Sequence, residues 1–214
     1  MTWRSVTAPI TKWAIDARMN EPAEQQDTAD MLRLVNGHDA ALNDLMERHS
    51  ERLFHYLIRH LQNESDAAEV AQDAFVRVYQ HRAKFDARQK FSTWLYTIAT
   101  NLARDRLKWR SRHPQVSLDQ TVGESDSTMA DVLADSKPSP DEMLTSSERT
   151  LAVRNAVGAL PEELRTPLLL AEYEAMPHAE IASVLHCSIK AVESRIYRAK
   201  QRLREYLQRK LQPG

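Results

Sequence analysis

Apolar residues recur at the three- to four-residue spacing of an α-helix along most of this chain. The spacing predicts helices from Asp30 onward, including one from Ala67 to about Lys84. A further helix is predicted from Phe91 to His113, with an aromatic and apolar first half and a basic second half. Phe91 and Trp94 in that first half fit two interpretations, which are core anchors and stacking platforms for unpaired bases.

Near the C-terminus the helical spacing is broken once. Between His178 and Gln208 it pauses at His186 to Ser188, which is too short a break for a loop between distant elements. The stretch therefore predicts a helix, a tight turn and a second helix, with Ser188 as the N-cap of the second. A basic face on that second helix suits the DNA major groove, although ordinary solvated helices also carry basic faces.

Composition favours helix over strand, because only 4 of the 214 residues are Gly and 42% are hydrophobic. We therefore expect an all-α protein with two small helical domains joined by a flexible acidic linker. The predicted division is an N-terminal extension at 1–27, a first domain at 28–113, a linker at 114–146 and a second domain at 147–214. In the linker, seven carboxylates face the single Lys137, which gives a net charge of minus six.

Charge is unevenly distributed along the chain. The formal net charge is -1, yet eight Lys and Arg residues after His178 face only three Glu residues, which leaves this end positive by five. Clustered positive charge favours a polyanionic partner. The positive end coincides with the predicted helix-turn-helix, and this strengthens the DNA-binding interpretation.

Several classes of protein are disfavoured by what the sequence lacks. The single cysteine, Cys187, excludes an internal disulfide, and no run approaches the roughly twenty apolar residues that span a bilayer. We therefore expect a cytoplasmic protein without membrane insertion.

There is no phosphate-binding glycine loop, HExxH motif or nucleophile elbow. The histidines lack metal-ligand partners at a suitable spacing, and His49, His55 and His60 are interpreted as a solvated face. No metal, cofactor, small-molecule substrate or enzymatic activity is expected.

Three motifs occur in the order that characterises one protein family. They are DAAEVAQDAFVRVYQ at Asp66 to Gln80, FSTWLYTIATNLARDRLKWR at Phe91 to Arg110, and LPEELRTPLLL followed by AEIASVLHCSIKAVESRIYRAKQRLRE near the C-terminus. Together they resemble bacterial RNA polymerase sigma factors of the sigma-70 family, in its extracytoplasmic-function (ECF) subfamily. The resemblance implies a factor that binds core RNA polymerase, directs it to promoters through minus-35 and minus-ten elements, and promotes DNA melting. It also implies regulation by an anti-sigma factor.

The resemblance implies three groups of site residues as well. Core polymerase would be bound by the helix of the first motif, through Asp66, Glu69, Gln72, Asp73 and Val76. The helix of the second motif would bind and melt the minus-ten element, through Phe91, Ser92, Asn101, Arg104, Asp105, Arg106, Lys108 and Arg112. The last helix would enter the minus-35 major groove, through Lys190, Glu193, Ser194, Arg195, Tyr197, Arg198, Lys200 and Arg202. In this last group Arg195, Lys200 and Arg202 are expected on phosphates and the others on bases.

Three positions depart from the family pattern. Glu193 stands where a basic residue is more common, His186 replaces the usual glycine of the turn, and Pro177 replaces a usual capping serine. Histidine tolerates a left-handed backbone better than most residues, so we expect the turn to survive. The alternative function is a stand-alone helix-turn-helix transcriptional regulator that binds duplex DNA as a dimer. Such a protein would leave the basic helix of the first domain without a role.

Overall fold

The computed structural model describes residues 21–113 and 150–211, and within these ranges it contains helices and turns but no β-strand. The first domain consists of α1 (Glu21–Val35), α2 (Ala41–Leu61), α3 (Glu64–Gln80) and α4 (Phe91–Arg112), with a short 3-10 helix at Arg82–Lys84. The second consists of α5 (150–158), α6 (Glu162–Glu172), α7 (His178–Leu185) and α8 (Ile189–Leu211). The all-α fold with two helical domains is thus confirmed. The linker expected at 114–146 and most of the extension at 1–27 lie outside the described residues.

Helix α1 begins at Glu21, earlier than the helical pattern predicted. This polar stretch is helical because two carboxylates on its inner face have partners on α2. Asp27 and Asp30 are buried, and the Arg48 guanidinium donates to both of them, at 2.9 and 2.6 Å. Burial alone would raise the pKa of Asp30, but hydrogen bonds from Arg48 and Gln26 hold it below its ordinary value. The ion pairs of Asp27 and Asp30 with Arg48 therefore hold this polar segment against α2.

Helices α2, α3 and α4 enclose the core of the first domain. They bury apolar positions at helical spacing, among them Leu57 on α2, Val70 and Phe75 on α3, and Leu95 on α4. Burial of each such side chain contributes roughly 1.5–3 kcal/mol. This core holds the first half of α4 in place, while its basic second half extends toward the end of the domain.

The histidine series on α2 does not form the solvated face that we expected. His60 is 0% exposed, its Nε2 lies 2.8 Å from Thr166 Oγ1 on α6, and burial lowers its pKa to about 4. His49 is half-buried, with its Nε2 2.8 Å from Asp27 Oδ2. Of the three, His55 alone is exposed. The interpretation is wrong because α1 and α6 cover two sides of α2, which the spacing along a single helix cannot reveal.

Helices α6, α7 and α8 enclose the core of the second domain, in which Leu169, Ile181 and Val192 are buried. Pro167 lies inside α6 without ending it. The preceding Thr166 uses its hydroxyl to donate to the Glu162 carbonyl at 3.0 Å, one turn back. The helix is therefore continuous through the proline.

The two domains pack against each other, with α2 against α6 and α4 against α7. Polar side-chain contacts cross their interface. The Tyr96 hydroxyl on α4 donates to Glu174 Oε2 at 2.5 Å, and Arg104 Nε donates to Glu162 Oε1 at 2.8 Å. Burial raises the pKa of Glu174 above its ordinary value. The described residues thus form one packed unit, an arrangement that helical spacing alone does not predict.

Candidate nucleic-acid interface

The second domain contains the helix-turn-helix that the sequence predicted. Helix α7 ends at Leu185, and the capping residue His186 adopts a left-handed backbone with φ 50 and ψ 48. The Cys187 N–H donates to the Ala182 carbonyl at 3.0 Å and closes the turn. Ser188 then caps α8, because its Oγ accepts from the Ala191 N–H at 3.2 Å. Histidine therefore replaces glycine in this turn without disrupting it.

Helix α8 has one buried and one exposed face. The buried face packs on the domain through Val192, Ile196, Ala199 and Leu203. The exposed face, which we call the α8 stripe, consists of Lys190, Glu193, Ser194, Tyr197 and Arg198. Tyr197 is 65% exposed, an unusual position for a large aromatic side chain. These are the five residues that the sequence placed on bases, and the structure brings them to one surface.

The three residues expected on phosphates are in different environments. The Arg195 guanidinium donates to Cys187 Sγ at 3.6 Å, and Lys200 Nζ lies 2.6 Å from a Glu172 carboxylate oxygen. Arg202 is exposed. Two of the three cations are thus engaged within the domain, and Arg202 is the one directed to solvent.

The basic half of α4 also presents a continuous exposed face. Asn101, Asp105, Lys108 and Arg112 follow one another at helical spacing, and all four are exposed. We call this set the α4 stripe. It combines amide and carboxylate groups, which can recognise base edges, with two cations that suit phosphates.

Phe91 does not belong to that exposed face. It is 1% exposed, and its ring centroid lies 5.1 Å from that of His49 and 6.4 Å from those of Phe85 and Trp94. The assignment of Phe91 to DNA is therefore corrected, because the side chain is part of the core. Ser92 beside it is half-buried.

Two other basic residues assigned to the minus-ten element already have anionic partners. Arg104 is bound to Glu162 of the second domain at 2.8 Å. Arg106 pairs with Glu69 and lies 3.1 Å from Asp66, both on α3. Neither guanidinium is available to DNA without giving up a carboxylate.

Trp109 is a candidate that the sequence interpretation missed. Its side chain is 45% exposed beside the α4 stripe, and its ring stacks on His113 with centroids 4.9 Å apart and planes at 21°. The sequence signal for it is an aromatic residue one turn beyond Asp105 in a basic segment. An exposed, planar aromatic stack can accept an unpaired base.

Helix α3 exposes a different kind of surface. Glu69, Gln72, Asp73 and Val76 lie on one face at helical spacing, and Val76 is 45% exposed. We call these four residues the α3 face. Asp66, which the sequence grouped with them, is turned toward α4 and lies 3.1 Å from Arg106 and 3.3 Å from Arg110.

Neither a metal site nor a membrane span is found in the described part of the chain. Within 21–113 and 150–211, no group of three or more His, Cys, Asp or Glu residues could hold a metal ion. None of the helices in these ranges is long and apolar enough to cross a bilayer.

Comparison with known proteins identifies both domains. Residues 45–113 match the family described as Sigma-70 region 2, and residues 150–203 match Sigma-70, region 4. The RNA polymerase sigma-H factor of Pseudomonas aeruginosa is 32% identical over 185 residues, which cover 86% of this chain and 95% of that protein. The ECF RNA polymerase sigma factor SigW of Bacillus subtilis is 32% identical over 176 residues, which cover 82% of this chain and 93% of SigW.

Two solved structures share the fold. CnrH in complex with the cytosolic domain of CnrY has a TM-score of 0.63 at 24% identity, covering 86% of this chain and 98% of CnrH. The sigma factor RpoE of Bartonella quintana, in complex with the anti-sigma factor NepR, has a TM-score of 0.59 at 21% identity, covering 78% of this chain and 96% of RpoE. The comparisons give no support to the stand-alone regulator. The chain belongs to the sigma-70 family, in its ECF subfamily, and is a sigma factor that binds core RNA polymerase and directs it to promoters.

Proposed function

We propose that this sigma factor divides promoter recognition among three surfaces. The α8 stripe enters the minus-35 major groove, the α4 stripe binds and melts the minus-ten element, and the α3 face docks on core polymerase. The chain itself carries out no catalysis, and it acts in the cytoplasm beside the polymerase. Run-off transcription with core enzyme over a promoter library tests the proposal. Transcripts from promoters that share both elements are expected, and a library that shows no preference at either element contradicts it.

The α8 stripe carries the minus-35 part of the proposal. Its members project from the second helix of a helix-turn-helix, which is the helix that fits a major groove. Arg198 offers the fork of donors that matches guanine, and Glu193 offers an acceptor for cytosine N4. Lys190 can likewise donate to a base edge, and the exposed Arg202 is suited to a flanking phosphate. Because the stripe mixes both signs of charge, it favours selective contacts over uniform attraction to DNA.

Replacing Arg198 with alanine is expected to weaken minus-35 binding by about 1–3 kcal/mol, because a bidentate contact to guanine is lost. The loss should be concentrated at one base pair of the element. Holoenzyme binding to a set of minus-35 variants measures it. Arg209→Ala, which removes the same charge from the exposed end of α8, is the matched control. An equal loss on every minus-35 variant contradicts a base contact and indicates a phosphate contact instead.

The minus-ten part of the proposal rests on the α4 stripe together with Trp109. Unpaired bases need stacking faces, and the single strand needs cations along its backbone. Trp109 supplies a face that is already planar and half-exposed through its stack on His113. Lys108 and Arg112 on the same exposed side supply the cations, while Asn101 and Asp105 offer groups for base edges.

Trp109→Ala is expected to reduce open-complex formation by roughly tenfold, since stacking on an aromatic side chain contributes about 1–3 kcal/mol per base. Trp109→Phe should retain most of the activity because it keeps an aromatic face. Permanganate footprinting of the melted region measures the effect in reconstituted holoenzyme. Undiminished thymine reactivity in the alanine variant would rule out a role for Trp109 in melting.

The α3 face is proposed for protein partners. It combines acidic and amide groups with the exposed, apolar Val76, a mixture typical of protein interfaces. Core polymerase is the partner we assign to it. We also propose an anti-sigma factor as a regulator, since RpoE of Bartonella quintana was solved with the anti-sigma factor NepR. Displacement of core enzyme by such a regulator in a native gel tests whether the two compete.

A further inference from the structure

Tyr197 on the α8 stripe has a hydrogen-bond partner behind it on the same helix. Its side chain is 65% exposed, and Gln201 Nε2, one turn further along α8, donates to the Tyr197 hydroxyl oxygen at 3.0 Å. Gln201 is itself half-buried. The hydroxyl is therefore held from the protein side while the rest of the tyrosine side chain projects into solvent.

A third residue fixes the orientation of the Gln201 amide. Arg204 Nη1 donates to Gln201 Oε1 at 3.1 Å. A guanidinium has N–H donors and no acceptor, so it faces the amide oxygen, and the opposite orientation would set the amide NH2 group against it. The Gln201 amide therefore presents its N–H groups, and not its oxygen, to Tyr197.

This orientation decides how the Tyr197 hydroxyl is used. A phenolic hydroxyl donates one hydrogen bond and can also accept. Because Gln201 donates to the oxygen, the O–H hydrogen is left to donate to a group outside the protein. The hydrogen bonds thus run in one direction, from Arg204 through Gln201 to Tyr197, and hydrogen bonds in such a chain polarise one another.

A competing acceptor for that hydrogen lies one turn back, but it is directed elsewhere. Glu193 stands four residues before Tyr197, a spacing at which side chains on a helix can meet. Its Oε1 instead lies 3.9 Å from Nδ1 of His178, at the start of α7. In the part of the chain that the structure describes, Gln201 is the hydrogen-bond partner of the Tyr197 hydroxyl.

The major groove of DNA distinguishes a donor from an acceptor. Guanine presents acceptors at N7 and O6 and thymine presents one at O4, whereas cytosine presents the N4 donor. A tyrosine that donates therefore favours guanine or thymine over cytosine at the base it meets. A tyrosine restricted to accepting favours cytosine instead.

We propose that Gln201 is a positioning residue for minus-35 recognition, which makes Tyr197 a hydrogen-bond donor to the DNA. Gln201 acts through Tyr197 and does not itself contact a base. This role rests on the proposed minus-35 function of the α8 stripe. It deepens that function by naming the residue that sets the direction of one base contact.

Reversing the hydrogen bond tests this role in holoenzyme reconstituted with core polymerase. Gln201→Glu replaces the amide with a carboxylate, which only accepts, so the Tyr197 O–H turns toward position 201 and its oxygen becomes an acceptor for DNA. Gln208→Glu makes the same change of charge at an exposed position of the same helix and is the matched control. Thermal unfolding of both chains checks that they fold.

Holoenzyme binding is measured on duplexes whose minus-35 positions are varied one base pair at a time, with the minus-ten sequence held constant. At one position the wild-type holoenzyme should prefer guanine to cytosine by about fivefold, the size of one hydrogen bond. In Gln201→Glu the preference should reverse, whereas Gln208→Glu should keep the wild-type ratio and lose affinity uniformly. A Gln201→Glu profile that matches the Gln208→Glu profile overturns the role of Gln201.

The hydroxyl itself provides a second test. Tyr197→Phe keeps the ring, and the preference for guanine at that position should disappear. Adding Gln201→Glu to Tyr197→Phe should then change selectivity no more than adding Gln208→Glu does. A reversal that persists without the hydroxyl would show that residue 201 contacts DNA directly, which also overturns the role. Failure of the minus-35 function of α8 is distinguishable, because Arg198→Ala would then leave binding to every minus-35 variant unchanged.

Discussion

A Phe91→Ala chain is expected to lose about 3–5 kcal/mol of unfolding free energy, the usual loss when a buried aromatic ring is truncated. The physical reason is its position at the start of α4, where the rings of His49, Phe85 and Trp94 surround it. Urea denaturation followed by tryptophan fluorescence measures the change. The cavity left by the ring is expected to weaken the packing at the start of α4. No other single substitution proposed for this chain is expected to change the unfolding free energy by as much.

Two further variants separate the core role of Phe91 from a role in DNA binding. Leu32→Ala truncates an exposed apolar side chain of the same domain, and it should change the unfolding free energy by less than about 0.5 kcal/mol. Phe91→Leu keeps most of the buried volume and should preserve selectivity among minus-ten sequences. Altered minus-ten selectivity in the leucine variant, with stability intact, would show that Phe91 contacts DNA.

His60 is expected to make stability depend on pH. Its pKa is lowered from 6.5 to about 4 by burial, so the folded chain keeps it neutral while the unfolded chain protonates it below pH 6.5. The unfolded state then binds more protons, and stability falls as the pH drops from about 6.5 toward 4. Relative to His60→Gln, the wild-type chain should lose about 3 kcal/mol of unfolding free energy over that interval. Urea titrations of both chains at several pH values measure this difference.

Other titratable groups are present in both the wild-type chain and His60→Gln. The difference between the two unfolding free energies therefore isolates the contribution of His60. Glu162, 3.9 Å from His60 Nε2, opposes the depression of the histidine pKa, whereas Arg165 and Arg104 reinforce it. Burial raises the pKa of Glu174, which acts in the other direction, since the folded chain then binds a proton at Glu174 more readily than the unfolded chain as the pH falls. Parallel pH profiles for the wild-type and glutamine chains would contradict the assignment to His60.

The features that the sequence predicted well are those decided within one helix. The α8 stripe follows from the apolar spacing of Val192, Ile196 and their neighbours, because burial of one face leaves the opposite residues exposed. The turn at His186 was predicted for a similar reason, since it depends on local backbone preference. Such features need no knowledge of what packs against the helix.

The features that the sequence did not predict depend on contacts between distant segments. His60 is buried because α6 covers it, and Arg104 is occupied because Glu162 lies opposite. Helix α1 extends back to Glu21 because Arg48 provides partners for its carboxylates. In each case a polar residue occurs where helical spacing suggests solvent, and only the tertiary partner decides the outcome.

The pairing of Arg104 with Glu162, and of Lys90 with Glu24 and Glu180, affects how the protein responds to salt. Duplex and single-stranded DNA bind more weakly as salt rises, because bound cations of the protein release counterions from the phosphates. At α4, DNA that reaches Arg104 or Lys90 must also displace a carboxylate, which salt itself helps to dissociate. At α4, salt therefore weakens the contact with DNA but also weakens the competing contact with the carboxylates. Lys190 and Arg198 on α8 face solvent. Ionic strength should therefore shift the balance between the two promoter contacts, weakening the α8 contact more steeply than the α4 contact.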